Sequence, residues 1–484
     1  MGKFDLCYVP LFVFILVVYS VVKVESEGVI RVKYKFSGSE RNLRALKAHD
    51  EMRHLRILAG IDLPIGGSGR PDSVGLYFAK IGIGTPPNNY TVQVDTGSNI
   101  MWVNCIACQE CPTRGYHGLE LTLYNPKDSL TGKLILCGQS FCKNINRGSV
   151  PGCFGNSPCN YKQVYGDGSY SNGYLVEDVV QYDQVSGDLQ TKSANGSVIF
   201  GCSGSQSGDL SSSDEAFDGI LGFGKSNSSI LSQLASSGKV KNMFAHCLDG
   251  VNGGGIFAIG NVVQPKVNMT SLVPNQPHYS VDMMAVEVGY QFLNLSVDVL
   301  MNGENNGVII DSGTTLAYLP EVIYAPLVKK ILSWQPDLKL RKVRDEYTCF
   351  KYSESVDDGF PQVIFHFRNS LSLRVRPREY LFPFEDLFCI GWQNSGNQSR
   401  DKWNLMLFGD LVLSNKLVLY DLENQTIGWT EYNCSSSIQL KDEITGSVRL
   451  VGAHSLSTGS RLTAHTALTS LLLVALLHNY LFNW

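Results

Sequence analysis

Two short stretches of the sequence decide the fold: Val94-Asp-Thr-Gly-Ser98 and Ile310-Asp-Ser-Gly-Thr314. An apolar, strand-like run precedes each stretch, and the two aspartates lie 216 positions apart. Each stretch is followed later in the chain by an apolar-apolar-Gly element, first Ile220-Leu221-Gly222 and then Leu407-Phe408-Gly409. A long-range repeat of this kind indicates two equivalent halves, each of which contributes one carboxylate.

The composition is that of a β-rich globular protein with many turns. Of the 484 residues, 44% are hydrophobic, only 17% are charged and 47 are glycine. These values exclude a disordered chain, a coiled coil and a collagen, and the length allows one to three domains. The net charge of −4 argues against a nucleic-acid partner.

The chemistry of the repeat follows from its two carboxylates. An aspartate at the end of a buried strand must be hydrogen-bonded if it is to ionise, and the hydroxyl of Thr96 or Ser312 can donate to it. The glycine that follows lets the backbone turn tightly and brings N–H groups close. Two such loops facing each other would share one proton over a range of acid pH. One carboxylate can then activate a water while the other protonates the substrate, without a metal or cofactor.

These stretches resemble the pepsin-like aspartic proteases. The resemblance covers roughly residues 75–434 and also includes the run from Asp95 to Trp102, Tyr165-Gly-Asp-Gly-Ser169 and Phe217–Gly224. It implies an all-β, bilobal fold with the active site in the cleft between two β-rich lobes. It also implies an aspartic endopeptidase that hydrolyses peptides or proteins at acid pH, with Asp95 and Asp311 as the catalytic pair.

The same resemblance assigns supporting residues. Thr96 and Gly97 in the first loop, and Ser312 and Gly313 in the second, would set the geometry of the pair. Tyr165 would lie on a hairpin flap over the substrate, with Trp102 packed behind it. The alternative for both aromatic residues is ordinary core or hairpin packing.

Twelve of the thirteen cysteines lie outside residues 1–26, an even number that predicts disulfides in a secreted protein. Their spacing over residues 105–159 resembles the cysteine-rich insert of the nepenthesin-like plant aspartic proteases. That family implies six pairs: Cys105–Cys108, Cys111–Cys202, Cys137–Cys159, Cys142–Cys153, Cys247–Cys434 and Cys349–Cys389. Sequence alone cannot establish this connectivity, and a zinc site at Cys105–Cys111 is the alternative.

Both ends of the chain resemble targeting segments. Residues 1–26 contain an apolar run from Tyr8 to Val22 and predict a signal peptide, with a signal anchor as the alternative. Residues 441–484 predict a polar stalk and a GPI-anchor signal, because small polar residues precede a short apolar run from Ala467 to Leu477. Ser457 is the expected attachment residue and Ser455 the second choice. A buried helix or a tail anchor is the alternative.

The intervening chain divides into three expected parts. Residues 27–70 carry a net charge of +4 and are expected to be a basic propeptide, against −9 for residues 71–440. The segment contains a helix-like stretch, Arg41–Leu58, and would cover the acidic cleft until it is cut near Arg70–Ser73; a solvated linker is the alternative. Residues 71–270 and 271–440 are the expected lobes, with helices near Ile230–Lys239 and Glu321–Trp334.

These features predict a monomeric glycoprotein on the outer face of the plasma membrane. Eight Asn-x-Ser/Thr sequons are present, at Asn89, Asn195, Asn227, Asn268, Asn294, Asn397, Asn424 and Asn433. The alternative function is a catalytically weak binding or inhibitor-like protein on the same fold at the cell wall. The intact Asp-Thr/Ser-Gly pair and Tyr165 favour the enzyme.

Overall fold

A computed structural model describes residues 59–71, 75–145, 153–212, 216–296, 307–344, 347–397 and 405–456. The expected signal peptide, the Arg41–Leu58 helix, the Ala467–Leu477 run and Ser457 lie outside these residues. Strands dominate the described chain, in agreement with the all-β prediction.

The first half of the described chain is built of fourteen strands: β1 Ile61–Asp62, β2 Ile65–Ser68, β3 Leu76–Ile83, β4 Asn88–Asp95, β5 Trp102–Asn104, β6 Lys133–Leu134, β7 Asn160–Val164, β8 Tyr170–Gly187, β9 Gln190–Ser207, β10 Gly219–Gly222, β11 Met243–Leu248, β12 Gly255–Ile259, β13 Asn261–Gln264 and β14 Met269–Ser271.

The second half contributes shorter strands: β15 Ser280–Val281, β16 Met283–Val288, β17 Gln291–Phe292, β18 Val308–Ile310, β19 Ala317–Leu319, β20 Arg341–Val343, β21 Tyr347–Phe350, β22 Val363–Phe367, β23 Ser372–Val375, β24 Leu381–Phe384, β25 Leu387–Ile390, β26 Trp392–Asn394, β27 Met406–Phe408, β28 Lys416–Asp421, β29 Thr426–Glu431, β30 Ser437–Lys441 and β31 Val448–Gly452.

The helices of the described residues are short: α1 Ser140–Ile145, α2 Ile230–Ser236, α3 Glu321–Leu332, α4 Val356–Gly359, α5 Pro377–Tyr380 and α6 Asp410–Leu413. Single 3₁₀ turns lie at Tyr116–Gly118, Gly208–Ser211, Arg368–Ser370 and Ser395–Asn397. The helices α2 and α3 are the two that the sequence predicted. Within the described ranges, no helix has the length and apolar character needed to cross a membrane.

One large sheet joins the two halves of the chain. It has fifteen strands, in the order β14-β29-β28-β11-β12-β1-β8-β9-β5-β10-β4-β3-β2, with β6 and β7 also paired to β8. Within this sheet, strands of the two halves meet in the antiparallel pair of β11 and β28, in which Phe244 lies opposite Tyr420, and in the pair of β14 and β29. The bilobal arrangement therefore rests on a shared sheet beneath the two aspartate loops.

The two halves of the internal sequence repeat have the same arrangement of strands. In the first half β10 is parallel to β4 and antiparallel to β5. In the second half β27 is parallel to β18 and antiparallel to β19. Each apolar-apolar-Gly element is thus the neighbour of the strand that leads into its own aspartate. The residues just before the two aspartates, Val94 and Ile310, are buried. Their packing in the core fixes the position at which each aspartate loop begins.

Residues 59–70, which the sequence assigned to the end of a propeptide, pair with strands of the body. The strand β1 pairs with both β8 and β12, and β2 pairs with β3. Ile61, Leu63 and Ile65 are each at most 5% exposed. A removable segment ending at residue 70 would take two paired strands and three core side chains with it, so the folded body already includes Ile61–Ser68.

Residues 441–456, which the sequence assigned to the beginning of a stalk, contain paired backbone. The strands β30 and β31 form an antiparallel pair that continues onto β13. Beyond them, the His454 ring contacts the Asp62 carboxylate at 2.9 Å, and the Leu456 N–H donates to the Ile65 carbonyl at 3.1 Å. Residues 441–456 are therefore part of the fold, because β31 is paired with β30 and the Val451 side chain is buried.

Two of the expected disulfides near the first aspartate loop are wrong. Cys105 pairs with Cys202, and Cys108 pairs with Cys111, instead of Cys105–Cys108 and Cys111–Cys202. The cause is the parallel pairing of β5 with β9, which places the residue after β5 beside Cys202. All three cysteines of the alternative zinc cluster are thereby engaged in disulfides.

The expected pairing inside the cysteine-rich insert is also wrong. Cys137 pairs with Cys153, and Cys142 with Cys159, instead of Cys137–Cys159 and Cys142–Cys153. The four sulfurs lie together, since the Cys142 and Cys153 Sγ atoms are 3.9 Å apart. Sequence spacing cannot separate two pairings within such a cluster.

The two remaining disulfides have the predicted connectivity. Cys247 on β11 pairs with Cys434, and Cys349 on β21 pairs with Cys389 on β25. In the second pair the two residues lie directly opposite each other in an antiparallel register.

Candidate active site

Asp95 is the last residue of β4, and its carboxylate is held by the loop that follows. Its Oδ1 atom accepts the N–H groups of Gly97 at 2.7 Å and Ser98 at 3.2 Å. The residue is only 4% exposed. The tight turn at Thr96–Gly97 thus supplies the donors that a buried carboxylate requires.

Asp311 follows β18 and is held in a similar way. Its Oδ1 accepts the Gly313 N–H at 2.8 Å, and its Oδ2 accepts the Thr314 hydroxyl at 2.7 Å. The Thr314 contact was not predicted, although a hydroxyl residue after Asp-Ser-Gly was visible in the sequence. Asp311 is 7% exposed, so each half of the chain presents one hydrogen-bonded, nearly buried carboxylate.

The two loops face each other across their glycines. A Cβ atom on Gly97 would lie 2.5 Å from Oδ2 of Asp311, and a Cβ on Gly313 would collide with the Asp95 carboxylate. Each carboxylate therefore packs on the glycine of the opposite loop, and a larger residue at either position would push the pair apart. The structure brings together all six residues that the sequence assigned to the two loops.

Thr96 ties the two loops together. Its Oγ1 accepts the Ser312 N–H at 2.9 Å and donates to the Ile310 carbonyl at 3.4 Å. The equivalent Ser312 hydroxyl is buried without a hydrogen-bond partner among the described residues. The sequence treats the two hydroxyl residues alike, but in the structure Thr96 carries the connection.

Burial and the repulsion between the two carboxylates favour a proton on the Asp95–Asp311 pair. Burial, followed by the negative charge of Asp311, raises the pKa of Asp95 to about 7, against the lowering effect of the hydrogen bonds from Gly97 and Ser98. Desolvation disfavours the charged form, and a second carboxylate disfavours it further. Such a pair can supply one acid and one base at the same time below neutral pH.

Tyr165 lies at the turn of a hairpin. It begins the turn of the β7–β8 hairpin, in which its N–H donates to the Ser169 carbonyl at 2.9 Å. The Trp102 Nε1–H donates to the Tyr165 hydroxyl at 2.7 Å. Burial and the nearby charge of Asp95 raise the pKa of Tyr165 well above its usual value, so the phenol stays neutral. Both aromatic residues belong to an apolar cluster with Ile100 and Ile220.

Asp410 is a third carboxylate that sequence reasoning missed. It follows the second apolar-apolar-Gly element and is fully buried, and its two oxygens have no hydrogen-bond partner among the described residues. Burial, then the charges of Asp311 and Asp95, raises its pKa well above the usual range. Its position after Gly409 was the only available sequence signal. A neutral Asp410 adds no further negative charge beside the pair.

Comparison with known proteins places the chain in a family. The Xylanase inhibitor N-terminal profile matches residues 77–261, and the Xylanase inhibitor C-terminal profile matches residues 278–431. Aspartic proteinase 36 of Arabidopsis thaliana is 46% identical over 97% of this chain and 96% of its own. Aspartic proteinase 39 of the same plant is 48% identical over 92% of both chains. Aspartic proteinase nepenthesin-2 of Nepenthes gracilis is 24% identical over 84% of this chain and 86% of its own.

Solved structures show the same fold. Basic 7S globulin from soybean superimposes with a TM-score of 0.58 at 19% identity, over 77% of this chain and 96% of its own. Conglutin gamma from lupine seeds gives a TM-score of 0.60 at 19% identity, over 78% and 96%. With its two matched profiles and its two facing aspartate loops, the chain belongs to the pepsin-like aspartic proteinase family that includes Arabidopsis aspartic proteinases 36 and 39.

Proposed function

We propose that this protein is an active aspartic endopeptidase with an acid pH optimum. The observation that carries the proposal is the packing of each catalytic carboxylate on the glycine of the opposite loop, which brings Asp95 and Asp311 together. The relatives named aspartic proteinases support a peptide or protein substrate.

The proposed reaction uses the pair as acid and base. Burial favours the proton on Asp95, so this residue hydrogen-bonds the carbonyl oxygen of the scissile peptide. Asp311 accepts a proton from the water as the water oxygen bonds to the carbonyl carbon, and it then passes that proton to the amine nitrogen as the C–N bond breaks. The Tyr165 flap covers the substrate, which binds as an extended strand.

The test is peptide-library hydrolysis between pH 3 and pH 8, with and without a pepstatin-like transition-state mimic. Asp95→Asn and Asp311→Asn should each abolish turnover and retain the fold by circular dichroism. Asp337→Asn, at an exposed aspartate, is the matched control and should keep full activity. Near-normal hydrolysis by either loop variant would refute the proposal.

A binding protein on the same fold is the second candidate. It is favoured by the profile description, which names xylanase inhibitors, and by the seed globulins among the similar structures. It predicts a folded wild-type protein that hydrolyses no peptide at any pH and binds a glycanase with measurable affinity. The hydrogen bonds that hold both aspartates in place support the enzyme instead.

We also infer that the protein is a glycosylated, GPI-anchored resident of the outer plasma-membrane face. Seven of the eight sequon asparagines lie in the part of the chain with described side chains, and all seven are exposed. Attachment at Ser457 is favoured over Ser455, because removal of Leu456 would break its hydrogen bond to Ile65. Phosphatidylinositol-specific phospholipase should release the protein from membranes; retention with Trp484 present would indicate a tail anchor.

A further inference from the structure

Three exposed aromatic side chains lie on the β16–β17 hairpin and just after α3. Tyr290 in the hairpin turn is 83% exposed, Phe292 on β17 is 65% exposed, and Trp334 beyond α3 is 46% exposed. The Trp334 ring lies against the turn, because a Cβ atom on Gly289 would be 2.5 Å from it. Single exposed apolar residues are common on protein surfaces, whereas a group of aromatic rings indicates a surface that is covered by something.

Polar groups lie beside the Phe292 ring. Phe292 is directly opposite Glu287 in the antiparallel pair of β16 and β17. Its ring centroid is 5.4 Å from that of His366, whose Nε2 lies 2.9 Å from the Glu287 carboxylate. Such a surface suits a sugar, because the C–H groups of a sugar can pack on the negative face of an aromatic ring while its hydroxyls hydrogen-bond the polar neighbours.

The sequon asparagine Asn294 follows two residues after this ring. Phe292 and Asn294 are exposed, whereas Leu293 and Leu295 are half-buried and pack against the core. The Leu293 N–H donates to the Val286 carbonyl at 2.8 Å, which holds the segment against β16. The alternation places Phe292 and Asn294 on the same, solvent-facing side, about 6–7 Å apart along an extended chain.

Asn294 differs in this respect from the seven other sequon asparagines. The residues two positions before those seven are Pro87, Ser193, Lys225, Lys266, Ser395, Leu422 and Glu431. Asn294 is thus the one sequon asparagine of the sequence with an aromatic residue at this spacing.

We propose that Asn294 carries an N-glycan whose first sugar packs on Phe292, so that the aromatic surface of the β16–β17 hairpin is covered by the protein's own glycan. The inference rests on the glycosylation proposed above. In that modification the Asn294 amide nitrogen loses one proton and bonds to the anomeric carbon of the oligosaccharide, as the C–O bond to a lipid diphosphate donor breaks.

The covalent bond favours this occupant over a free partner. A sugar attached to Asn294 is tethered within reach of the ring, so its effective concentration there is high without any separate binding site. The same glycan would stand between this hairpin and an approaching protein. The contact therefore makes the first sugar part of the folded surface.

The test follows the release of each glycan separately. The full chain is produced in a mammalian secretory host and treated, without denaturation, with peptide N-glycosidase F, and each converted asparagine is measured by mass spectrometry. The enzyme must reach the first sugar, so packing on Phe292 slows it. We expect release at Asn294 to be roughly tenfold slower than at the exposed Asn195 of β9, as a contact about as strong as an aromatic pair predicts.

Two variants connect that protection to the ring. Phe292→Ala should speed release at Asn294 by about tenfold and leave release at Asn195 unchanged. Phe154→Ala is the matched control, because Phe154 is 77% exposed and far from any sequon in the sequence, and it should change neither rate.

Thermal unfolding gives an independent measurement. Asn294→Gln removes the glycan and should lower the Tm by about 1–2 °C in the wild-type background, but by less than half as much in the Phe292→Ala background. Asn195→Gln removes a glycan that has no aromatic residue two positions before it, and it should change the Tm equally in both backgrounds.

Equal release rates at Asn294 and Asn195 would overturn the inference, as would an Asn294 rate or Tm change that Phe292→Ala leaves unaltered. An unoccupied Asn294 beside other occupied sequons would overturn it too, while the proposed glycosylation would stand. A chain without sugar at any sequon would refute the proposed glycosylation itself, and this inference with it.

Discussion

Replacement of Asp95 by asparagine should stabilise the fold at neutral pH while it destroys activity. The wild-type carboxyl has a folded pKa of about 7, raised by burial and by Asp311, against 3.8 for an ordinary aspartate. Asparagine has nearly the same shape, and its Oδ1 can accept the Gly97 and Ser98 N–H groups. It carries no charge to bury.

The magnitude follows from the difference between the two pKa values. About three units, at about 1.36 kcal/mol per unit, give roughly 4 kcal/mol as an upper bound at pH 8. The folded state binds the proton more tightly than the unfolded state, so wild-type stability falls as the pH rises from about 4 to about 7. Below pH 4 both states are protonated, and the advantage of the variant disappears.

The assay is urea unfolding of both proteins, with disulfides intact, at half-unit steps from pH 3 to pH 8. The free energies should coincide near pH 3 and separate by about 2–4 kcal/mol at pH 8. A constant difference across the range, or a variant that is less stable at pH 8, would refute the electrostatic reasoning.

Three other variants or measurements test separate parts of the structure. Tyr165→Phe removes the acceptor of the Trp102 Nε1–H and should lower kcat/KM about tenfold and the free energy of unfolding by about 1–3 kcal/mol. The Trp102→Phe/Tyr165→Phe double variant has no unpaired N–H and should regain part of that free energy; no recovery would contradict the reasoning. His454→Ala should cost up to ~1 kcal/mol at pH 5, because the Asp62 partner raises the pKa of His454 and the stabilisation is lost as the pH rises through that value; an equal cost at pH 9 would show that packing is responsible. Alkylation under non-reducing denaturation should label none of the twelve cysteines that follow residue 26, and two or more labelled residues would contradict the six disulfides.

The repeated Asp-Thr/Ser-Gly stretches predicted two halves with one carboxylate each, and their resemblance to the pepsin-like aspartic proteases implied the fold. Short motifs with strong local requirements carry this information, because the turn, the glycine and the strand before it lie within a few residues. The contact of Trp102 with Tyr165 was also expected, because the resemblance to the pepsin-like aspartic proteases implied it.

Features that depend on distant strand neighbours were not predictable. The Cys105–Cys202 pair arises from the parallel contact of β5 with β9, whose cysteines are 97 residues apart. Asp410 was missed because nothing in the local sequence shows that its carboxylate is buried beside the other two. The different roles of Thr96 and Ser312 were not predictable either, because the Thr96 hydroxyl bonds Ile310 and Ser312 of the opposite loop while the Ser312 hydroxyl has no partner among the described residues.

The pairing of Leu456 with the strand at Gly66 has a consequence for the reach of the protein. With attachment at Ser457, a single peptide unit of about 3.5 Å would separate the folded body from the lipid-bearing residue. Such a body could neither extend away from the bilayer nor sample a wide volume, as it could on a flexible tether of twenty or more residues. Its substrates would then be confined to a layer about one protein diameter thick, which favours neighbouring surface proteins and slowly diffusing wall components over freely dissolved peptides.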